Sequence, residues 1–331
     1  MRIGIYQDLR DPPPWKRGWS LSAGAALERI EEAERLGLDA VWCSEHHFFE
    51  DGYLPQLLTW LAAVAARTTR LKLGTAIIIA PLHHPLEIAE QAAVVDQLSG
   101  GRVQLGFGAG YVRREFEEFG ADRDRRFELT EACIVEVRRL LDDGVVTPGP
   151  LQQEIPIWLG GFGPRGARMA GRNRAGLLWL DGGLLKPYRE GLVEGGHDPD
   201  SGTMGGLVTM IVSDDPERAW SMLAPHLTYQ WKSYEQAARA GEDAGMMMLD
   251  EGATVKRSAG PVMLPPAYDT VTPDEALRRM EAWLDGLPVS DVFFWDSISG
   301  MPEQLAHEHM RLLATRVAPR LTELGRATSA G

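Results

Sequence analysis

The densest group of reactive side chains follows a short apolar run near the start of the chain. Ser44, Glu45, His46 and His47 come directly after Val41-Trp42-Cys43. A histidine can exchange a proton near neutral pH, and an adjacent carboxylate can orient its ring or shift its pKa. If the apolar run is a β-strand that ends at a ligand-binding edge, this group could perform acid–base chemistry. The alternative is a histidine that only satisfies local hydrogen bonds.

A second pair of histidines, His83 and His84, raises the question of a metal site. Together with Glu45, His46 and His47 they offer four imidazoles and one carboxylate, which are common metal ligands. Adjacent side chains on extended backbone diverge, however, and among these four histidines no HxH or HExxH spacing places two on one face. We therefore predict no metal centre, with one histidine of the second pair lining a ligand site and the other in solvent.

Two glycine-rich segments mark places where a large ligand could approach the backbone. Residues 106–111 read Gly-Phe-Gly-Ala-Gly-Tyr, but no phosphate-binding turn follows, so they are a weak dinucleotide signal. Residues 160–166 read Gly-Gly-Phe-Gly-Pro-Arg-Gly and open a predicted helix, whose free N–H groups would suit a phosphate, with Arg165 and Arg168 nearby. A tight turn that binds nothing is the alternative. Serine hydrolases and P-loop enzymes are disfavoured, because GxSxG and GxxxxGK[ST] are absent.

Composition excludes several classes of partner. The chain has 331 residues, of which 47 are acidic and 34 basic, and the net charge of −13 disfavours binding to a nucleic-acid backbone. No window approaches the roughly 18 apolar residues of a membrane span, and the first residues lack the apolar core of a signal peptide. Cys43 and Cys133 lie in apolar segments, at neither disulfide nor metal spacings. We expect a cytoplasmic protein without nucleic acid or membrane as a partner.

The elements that must position these residues follow a βα rhythm. Short apolar or β-branched runs alternate with longer segments of helical period, which is the pattern of a parallel sheet covered by helices. Eight such runs predict a single (β/α)8 TIM barrel, an α/β fold whose active sites lie at the C-terminal ends of the strands. The predicted strands are residues 2–9, 40–46, 71–79, 102–108, 155–160, 177–182, 207–213 and 289–297.

One interval between predicted strands is too long for a single βα unit. Residues 214–288 exceed a single crossover, so we predict an insertion between strands 7 and 8. It would contain a helix, an irregular stretch and a second helix, at residues 216–239, 240–269 and 273–286. Long loops at a barrel mouth are often lids, and a packed surface excursion is the alternative. No linker divides the chain, so residues 1–331 are predicted to form one domain.

Taken in order, four segments resemble the luciferase-like monooxygenase family, a flavin-dependent group that includes the bacterial luciferase subunits. The resemblance spans nearly the whole chain. Its motifs are Trp42-Cys43-Ser44-Glu45-His46-His47-Phe48, the run LGTAIIIAP at 73–81, the run AEQAAVVDQLSGGR at 89–102, and the segment from Gly106 through Glu115-Phe116 to Gly120. The family fold is a (β/α)8 barrel with an insertion before the last strand, which agrees with the independent strand count.

The resemblance implies a reduced flavin at the C-terminal mouth of the barrel. His46 matches the family's catalytic histidine, and Glu45 lies beside it. Thr75, Ala76 and Ile77 match the strand on which the flavin ring rests, and a cis peptide bond is predicted between Ala76 and Ile77. The other predicted cofactor-binding residues lie in the two glycine-rich segments: Gly108, Gly110, Tyr111, Gly161, Phe162, Gly163 and Arg165.

The function implied by the resemblance is a flavin-dependent monooxygenase. Reduced FMN would react with O2 to give a flavin C4a-hydroperoxide, which oxygenates a small organic substrate while His46 donates or accepts a proton. A coenzyme F420 (deazaflavin) oxidoreductase that transfers hydride is the first alternative, and a non-catalytic flavin-binding protein is the second. A separate reductase would supply the reduced flavin. The expected assembly is a homodimer, with Leu57, Leu58 and Leu61 as candidates for its interface.

Overall fold

Parallel strands close into a barrel in the part of the chain that the computed structural model describes, residues 1–161, 163–239, 257 and 267–328. In chain order the strands are β1 Arg2–Gln7, β2 Ala40–Cys43, β3 Lys72–Thr75, β4 Ile78–Ile79, β5 Val103–Gly108, β6 Ile157–Gly160, β7 Gly176–Leu178, β8 Met204–Val208, β9 Met210–Val212, β10 Asp269–Val271 and β11 Val289–Trp295. The neighbours run β3-β2-β1-β11-β8-β7-β6-β5-β4, and β3 also pairs with β5. This closed ring confirms the predicted (β/α)8 fold.

The third position of the barrel is occupied by two short strands, because the chain bends between them. Leu73 of β3 pairs with Val103 at the start of β5, and Ile78 of β4 pairs with Phe107 near its end. The peptide bond between Ala76 and Ile77, which lies in the break, is cis. The cis bond was predicted from the family resemblance and is confirmed.

Helices surround the barrel and connect its strands. They are α1 Trp19–Arg35, α2 Leu57–Arg67, α3 Pro85–Ser99, α4 Arg113–Phe119, α5 Arg126–Asp142, α6 Gly163–Arg172, α7 Leu185–Glu194, α8 Pro216–Arg239, α9 Pro273–Leu284, α10 Glu303–Leu312 and α11 Ala318–Thr328. A π-helical turn, Leu313–Val317, joins the last two. Among the described helices, none is long and apolar enough to cross a membrane.

Large aromatic rings fill the interior of the barrel, and glycines on neighbouring strands make room for them. Trp42 of β2 stacks on Phe293 of β11 at 5.1 Å and meets Trp158 of β6 edge-on at 5.7 Å. A Cβ atom at Gly74 would lie 2.2 Å from the Trp42 ring, and one at Gly176 would lie 2.3 Å from Trp158. The described residues thus pack the barrel interior, and in barrels of this kind ligands bind at the C-terminal ends of the strands.

The interval before the last strand contains a small parallel sheet of its own. Strand β9 pairs with β10, and helices α8 and α9 lie where helices were predicted. The predicted seventh strand, residues 207–213, is wrong in its bounds: the barrel strand is β8, and the chain leaves the barrel at β9. Most of the segment 240–269 lies outside the described residues, so the lid, the insertion at 214–288 and the single domain over 1–331 stay predictions.

The apolar face of α2 is used inside the chain. Leu57, Leu58 and Leu61 are at most 6 % exposed and belong to the main hydrophobic core. The expectation that they form a subunit interface is therefore wrong. Helix α2 packs against both the barrel and α3, so it buries apolar residues on more than one side. The periodicity of the sequence does not distinguish an apolar face buried within the chain from one buried between subunits.

Candidate active site

The predicted catalytic histidine, His46, lies in the loop after β2. The carboxylate of Glu115, on the helix that follows β5, holds its ring. Nδ1 of His46 is 2.9 Å from Oε1 of Glu115, which is on α4 and fully buried. The same oxygen accepts the backbone N–H of His47 at 2.8 Å. Because a carboxylate oxygen accepts hydrogen bonds, we assign a proton to Nδ1, and Nε2 is the ring atom that remains for proton exchange.

Four aromatic rings surround His46 and shield it from water. The ring centres of Phe49, Tyr53, Tyr111 and Tyr234 lie 4.9, 5.0, 5.3 and 5.8 Å from that of the imidazole. The hydroxyl of Tyr111 is 3.4 Å from Nε2 of His46. Burial, and then the nearby carboxylate of Glu115, raise the pKa of Tyr111, so its hydroxyl keeps its proton and can donate it in a hydrogen bond to Nε2.

Glu45, predicted to be catalytic together with His46, points elsewhere. Its Oε1 lies 2.7 Å from Nε2 of His47 and 2.6 Å from Nε2 of His83, and its Oε2 accepts the N–H of Ile79 at 3.1 Å. Burial acts to raise the pKa of Glu45, but the hydrogen bonds of the two histidines outweigh it, so the pKa is lowered and the group is a carboxylate. The expectation that Glu45 orients His46 is wrong, because the two side chains leave the chain in different directions.

The two histidine pairs follow the prediction within each pair, but the approach of one pair to the other was not predicted. His46 and His47 diverge, as expected of neighbours on extended backbone. His47 and His83 nevertheless converge, and their ring nitrogens and a carboxylate oxygen of Glu45 lie within 4.8 Å of one another. His84 is exposed and accepts the N–H of Leu86 at the start of α3.

The predicted flavin-binding surface is made of strand ends that carry small side chains. Ala76 and Ile77 are partly exposed at the break in the third strand, next to Gly160 at the end of β6. The hydroxyl of Tyr6 donates to the carbonyl oxygen of Ala76 at 3.1 Å. The side chain of Thr75 is buried, and its hydroxyl exchanges hydrogen bonds with the backbone of Gly106. It therefore fixes the position of the surface from below.

Glycines at the ends of β5 and β6 keep this surface open. A Cβ atom at Gly108 would lie 2.6 Å from the Ile77 side chain, and one at Gly160 would lie 2.8 Å from it. Gly110, with φ +68°, is a backbone position that favours glycine, and a Cβ there would meet Ile79 at 2.5 Å. Side chains at these positions would displace Ile77 or Ile79, so the residues present fit a planar ring lying against the backbone.

The second glycine-rich segment leads into α6, where a phosphate could bind. Gly161 and Gly166 pack together, because a Cβ on either would lie 2.9 Å from the Cα of the other. Gly163, with φ +77°, begins the helix. Phe162 lies outside the described residues. The free N–H groups of a helix start suit an anion, and the segment is placed beside the predicted ring surface.

Arginines at this end of the site come from two helices. The guanidinium carbons of Arg126 and Arg165 lie 4.7 and 4.5 Å from the centre of the Phe127 ring. Arg168, predicted to lie near the phosphate, pairs with Glu190 and Glu194 of α7. That expectation is wrong because one turn of helix carries Arg168 away from the loop. Arg126 was not predicted, since it lies on α5 and outside the glycine-rich segments.

Sequence reasoning also missed Glu115 as the partner of His46. Glu115 stands inside a segment that carries the family resemblance, but a pair of acidic residues, Glu117 and Glu118, follows it within one helix turn. Of the three, only Glu115 is buried. Its place next to Phe116 on the apolar side of α4 was the available signal, because a buried carboxylate needs a partner.

A parallel barrel with a buried histidine–carboxylate pair at its strand ends has the architecture of a barrel enzyme, and the glycine floor beside that pair has room for a planar ligand. The family described as luciferase-like monooxygenase matches residues 8–285 of the chain, and the chain belongs to that family. The resemblance that the sequence motifs carried is thereby confirmed.

Curated relatives include both F420-dependent dehydrogenases and monooxygenases. The F420-dependent glucose-6-phosphate dehydrogenase of Microbacterium testaceum is 26 % identical over 326 residues, which cover 87 % of this chain and 90 % of the relative. The 4-hydroxyprotoasukamycin monooxygenase of Streptomyces nodosus subsp. asukaensis is 36 % identical over 147 residues, 44 % and 40 % of the two chains. The first two curated matches, uncharacterised proteins of Sinorhizobium fredii, are each 30 % identical, but the matched stretches cover only 64 % and 41 % of those relatives' lengths.

Solved structures with low identity share the fold over nearly the whole chain. Monooxygenase RslO1 from Streptomyces bottropensis has a TM-score of 0.74 and 22 % identity, covering 97 % of this chain and 100 % of its own. The oxygenating constituent of 3,6-diketocamphane monooxygenase from Pseudomonas putida, in complex with FMN, has a TM-score of 0.70 and 17 % identity, covering 97 % and 98 %. These likenesses show the barrel and leave the cofactor open.

Proposed function

We propose that this protein is a monooxygenase that uses reduced FMN and O2 to oxygenate a small organic molecule. The observation that carries the proposal is the environment of His46, whose ring is held by buried Glu115 and enclosed by four aromatic rings. An enclosure of this kind provides a proton-exchanging group in a place from which water is excluded. Flavin chemistry with oxygen needs both, because water gives reactive intermediates a competing reaction.

The residues of the chain have separate roles in this proposal. Bound reduced FMN supplies the chemistry with O2. His46 holds or accepts a proton at Nε2, and Glu115 keeps the ring oriented by accepting the Nδ1 proton. Tyr111 donates its hydroxyl hydrogen toward Nε2, so it can hold the neutral ring in position. Glu45 has a structural role, because its carboxylate is fully engaged with His47 and His83.

The isoalloxazine ring would rest on Ala76, Ile77 and the glycines of the first glycine-rich segment, Gly108 and Gly110. In support of this placement, Ala76 and Ile77 lie between β3 and β4, and a side chain at Gly108 or Gly110 would displace Ile77 or Ile79. A hydroxyl from Tyr6 below the surface keeps the Ala76 carbonyl in place.

The phosphate of FMN would bind between Gly161, Gly163 and the arginines of α5 and α6. A chain with a net charge of −13 repels an anion at long range, so the phosphate must be captured by local donors. The start of α6 offers N–H groups, while Arg126 and Arg165 offer guanidinium groups that pair with phosphate.

The test is an anaerobic titration with reduced FMN and, separately, with reduced coenzyme F420, followed by rapid mixing with O2. We expect reduced FMN to bind, and we expect O2 to produce a transient absorbance that precedes oxidised flavin. Tight binding of reduced F420 without oxygen consumption would instead establish the hydride-transfer alternative. Flavin binding with no turnover of any kind would establish the non-catalytic alternative.

The remaining parts of the proposal concern partners. Because we assign no nicotinamide site, we propose that reduced flavin comes from a separate reductase. A coupled assay in which a generic flavin reductase supplies the reduced flavin tests this. A homodimer is proposed, and sedimentation of the purified protein tests it. A cytoplasmic location is proposed on the composition, and cell fractionation tests it.

A further inference from the structure

Glu45, His47 and His83 form a compact buried cluster that the catalytic proposal does not use. The side chains are 1 %, 6 % and 18 % exposed. Oε1 of Glu45 accepts a hydrogen bond from Nε2 of His47 at 2.7 Å and another from Nε2 of His83 at 2.6 Å. These three atoms therefore lie close together in one small volume. Two imidazoles and one carboxylate are a ligand set found in zinc sites that keep an open position.

The cluster also has the supporting features of a metal site. The second oxygen of Glu45 accepts the backbone N–H of Ile79, which fixes the plane of the carboxylate. A cavity of about 20 Å³ borders Glu45 and His83 and is also lined by Glu87 and Gln91. A space of this size holds one water molecule, and a water is the usual fourth ligand of such a site.

We propose that Glu45, His47 and His83 bind a divalent transition-metal ion, with zinc as the ion that this ligand set suits best. The ion takes the place of the two Nε2 hydrogens that now lie between the rings and the carboxylate. In each neutral ring the proton moves from Nε2 to Nδ1, so that Nε2 presents a lone pair to the ion. A water in the neighbouring cavity completes four ligands.

The site is connected to the catalytic histidine through the backbone. The N–H of His47 donates to the same Glu115 oxygen that holds His46. A metal bound to the His47 ring therefore fixes the loop after β2, which carries His46. The ion has a positioning role here, since His46 itself is not a ligand.

Zinc binding is measured directly on the full chain. Protein freed of metal with a chelator is titrated with Zn²⁺ against a chromophoric competitor, and with Co²⁺, whose visible spectrum reports nitrogen and oxygen ligands. We compare wild type with Glu45→Gln and His83→Ala. The matched control is His84→Asn, which removes the adjacent exposed histidine but keeps a side-chain acceptor for the N–H of Leu86 at the start of α3.

We expect one equivalent of Zn²⁺ in wild type and in His84→Asn. Loss of a residue that supports a ligand costs about 10- to 100-fold in affinity, so loss of a ligand in Glu45→Gln or His83→Ala should cost at least about 100-fold. His46→Ala should retain the metal, which separates this result from the catalytic proposal. Circular dichroism checks folding, and if Glu45→Gln does not fold, His83→Ala decides the matter, because His83 is the most exposed of the three ligands.

Three results would overturn the metal site. They are absence of stoichiometric binding in wild type, unchanged binding in His83→Ala, and equal loss of binding in the His84→Asn control.

Discussion

His46 and Glu115 are 69 residues apart in the sequence, and Nδ1 of the histidine lies 2.9 Å from Oε1 of the glutamate. The pair forms because β2 and β5 both flank the third barrel position, so the loops that follow them meet at the mouth. Glu115 also accepts the N–H of His47, and its other oxygen has no hydrogen-bond partner among the described residues. The glutamate thus combines a structural bond with the orientation of His46.

Replacing His46 by alanine should reduce turnover far more than flavin binding. General acid–base groups contribute about 10²- to 10⁴-fold to rate, and we expect a loss of kcat in that range. The flavin dissociation constant, measured by absorbance titration, should change less than about threefold, because the ring surface is built from Ala76, Ile77 and the glycines. Unchanged kcat in His46→Ala would remove His46 from the reaction.

Replacing Glu115 by glutamine tests the carboxylate as a positioning residue. Glutamine has nearly the same shape and can still accept the N–H of His47, but it does not stabilise a protonated His46 ring. We expect a smaller loss of kcat than in His46→Ala and a displaced pH profile of kcat. A purely structural role would lower the amount of folded enzyme and leave the pH profile of the remaining activity in place.

The flat glycine surface can be tested by adding a single methyl group. In Gly108→Ala the new Cβ would lie 2.6 Å from Ile77, so that side chain must move into the space proposed for the flavin ring. Overpacking of this kind costs about 1–3 kcal/mol, so reduced FMN should bind about tenfold to a hundredfold more weakly.

The matched control for that variant is Gly24→Ala on α1. A Cβ there has no heavy atom within 4 Å, so flavin affinity should stay at the wild-type value, and the helix should gain up to about 1 kcal/mol. Equal flavin affinity in Gly108→Ala and wild type would show that the ring does not lie against Ile77.

The sequence alone was sufficient to predict the barrel, but it predicted the ends of the strands less accurately. Continuous apolar runs such as Val292-Phe293-Phe294 indicate strands that are buried in a parallel sheet. The start of β8 was missed because it contains Gly205 and Gly206, which have low strand propensity, although a Cβ at Gly205 would meet Asp291 at 2.9 Å. Packing between strands selects glycine there, and a single sequence does not display that packing.

The candidate site was predictable only where neighbours in sequence are neighbours in space. His46 and the glycines could be placed, since each follows its own strand. Tyr53 belongs to the same loop as His46, but Glu115 comes from α4 and Tyr234 from α8, both distant in the sequence. Which carboxylate reaches which histidine depends on side-chain direction over long separations, so Glu45 was preferred over Glu115 on adjacency alone.

A buried histidine away from the site makes the stability of the fold depend on pH. His309 on α10 is fully buried, and its Nδ1 accepts the N–H of Val212 in β9 at 2.8 Å. Burial lowers the pKa of His309 from 6.5 to about 4. The unfolded chain therefore binds more protons than the folded chain between these values, and the stabilising effect of the neutral ring is lost as the pH falls through that range.

Replacing His309 by asparagine should remove this dependence, because the amide oxygen can still accept the N–H of Val212 but does not titrate. Relative to the variant, wild type should lose up to about 3 kcal/mol of unfolding free energy between pH 6.5 and pH 4. Urea unfolding at several pH values measures it. The readout must be the difference between the two proteins, because burial raises the pKa of Asp8 to about 7 and its titration acts with the opposite sign. Parallel curves for wild type and His309→Asn would show that His309 is protonated equally in the folded and unfolded chains.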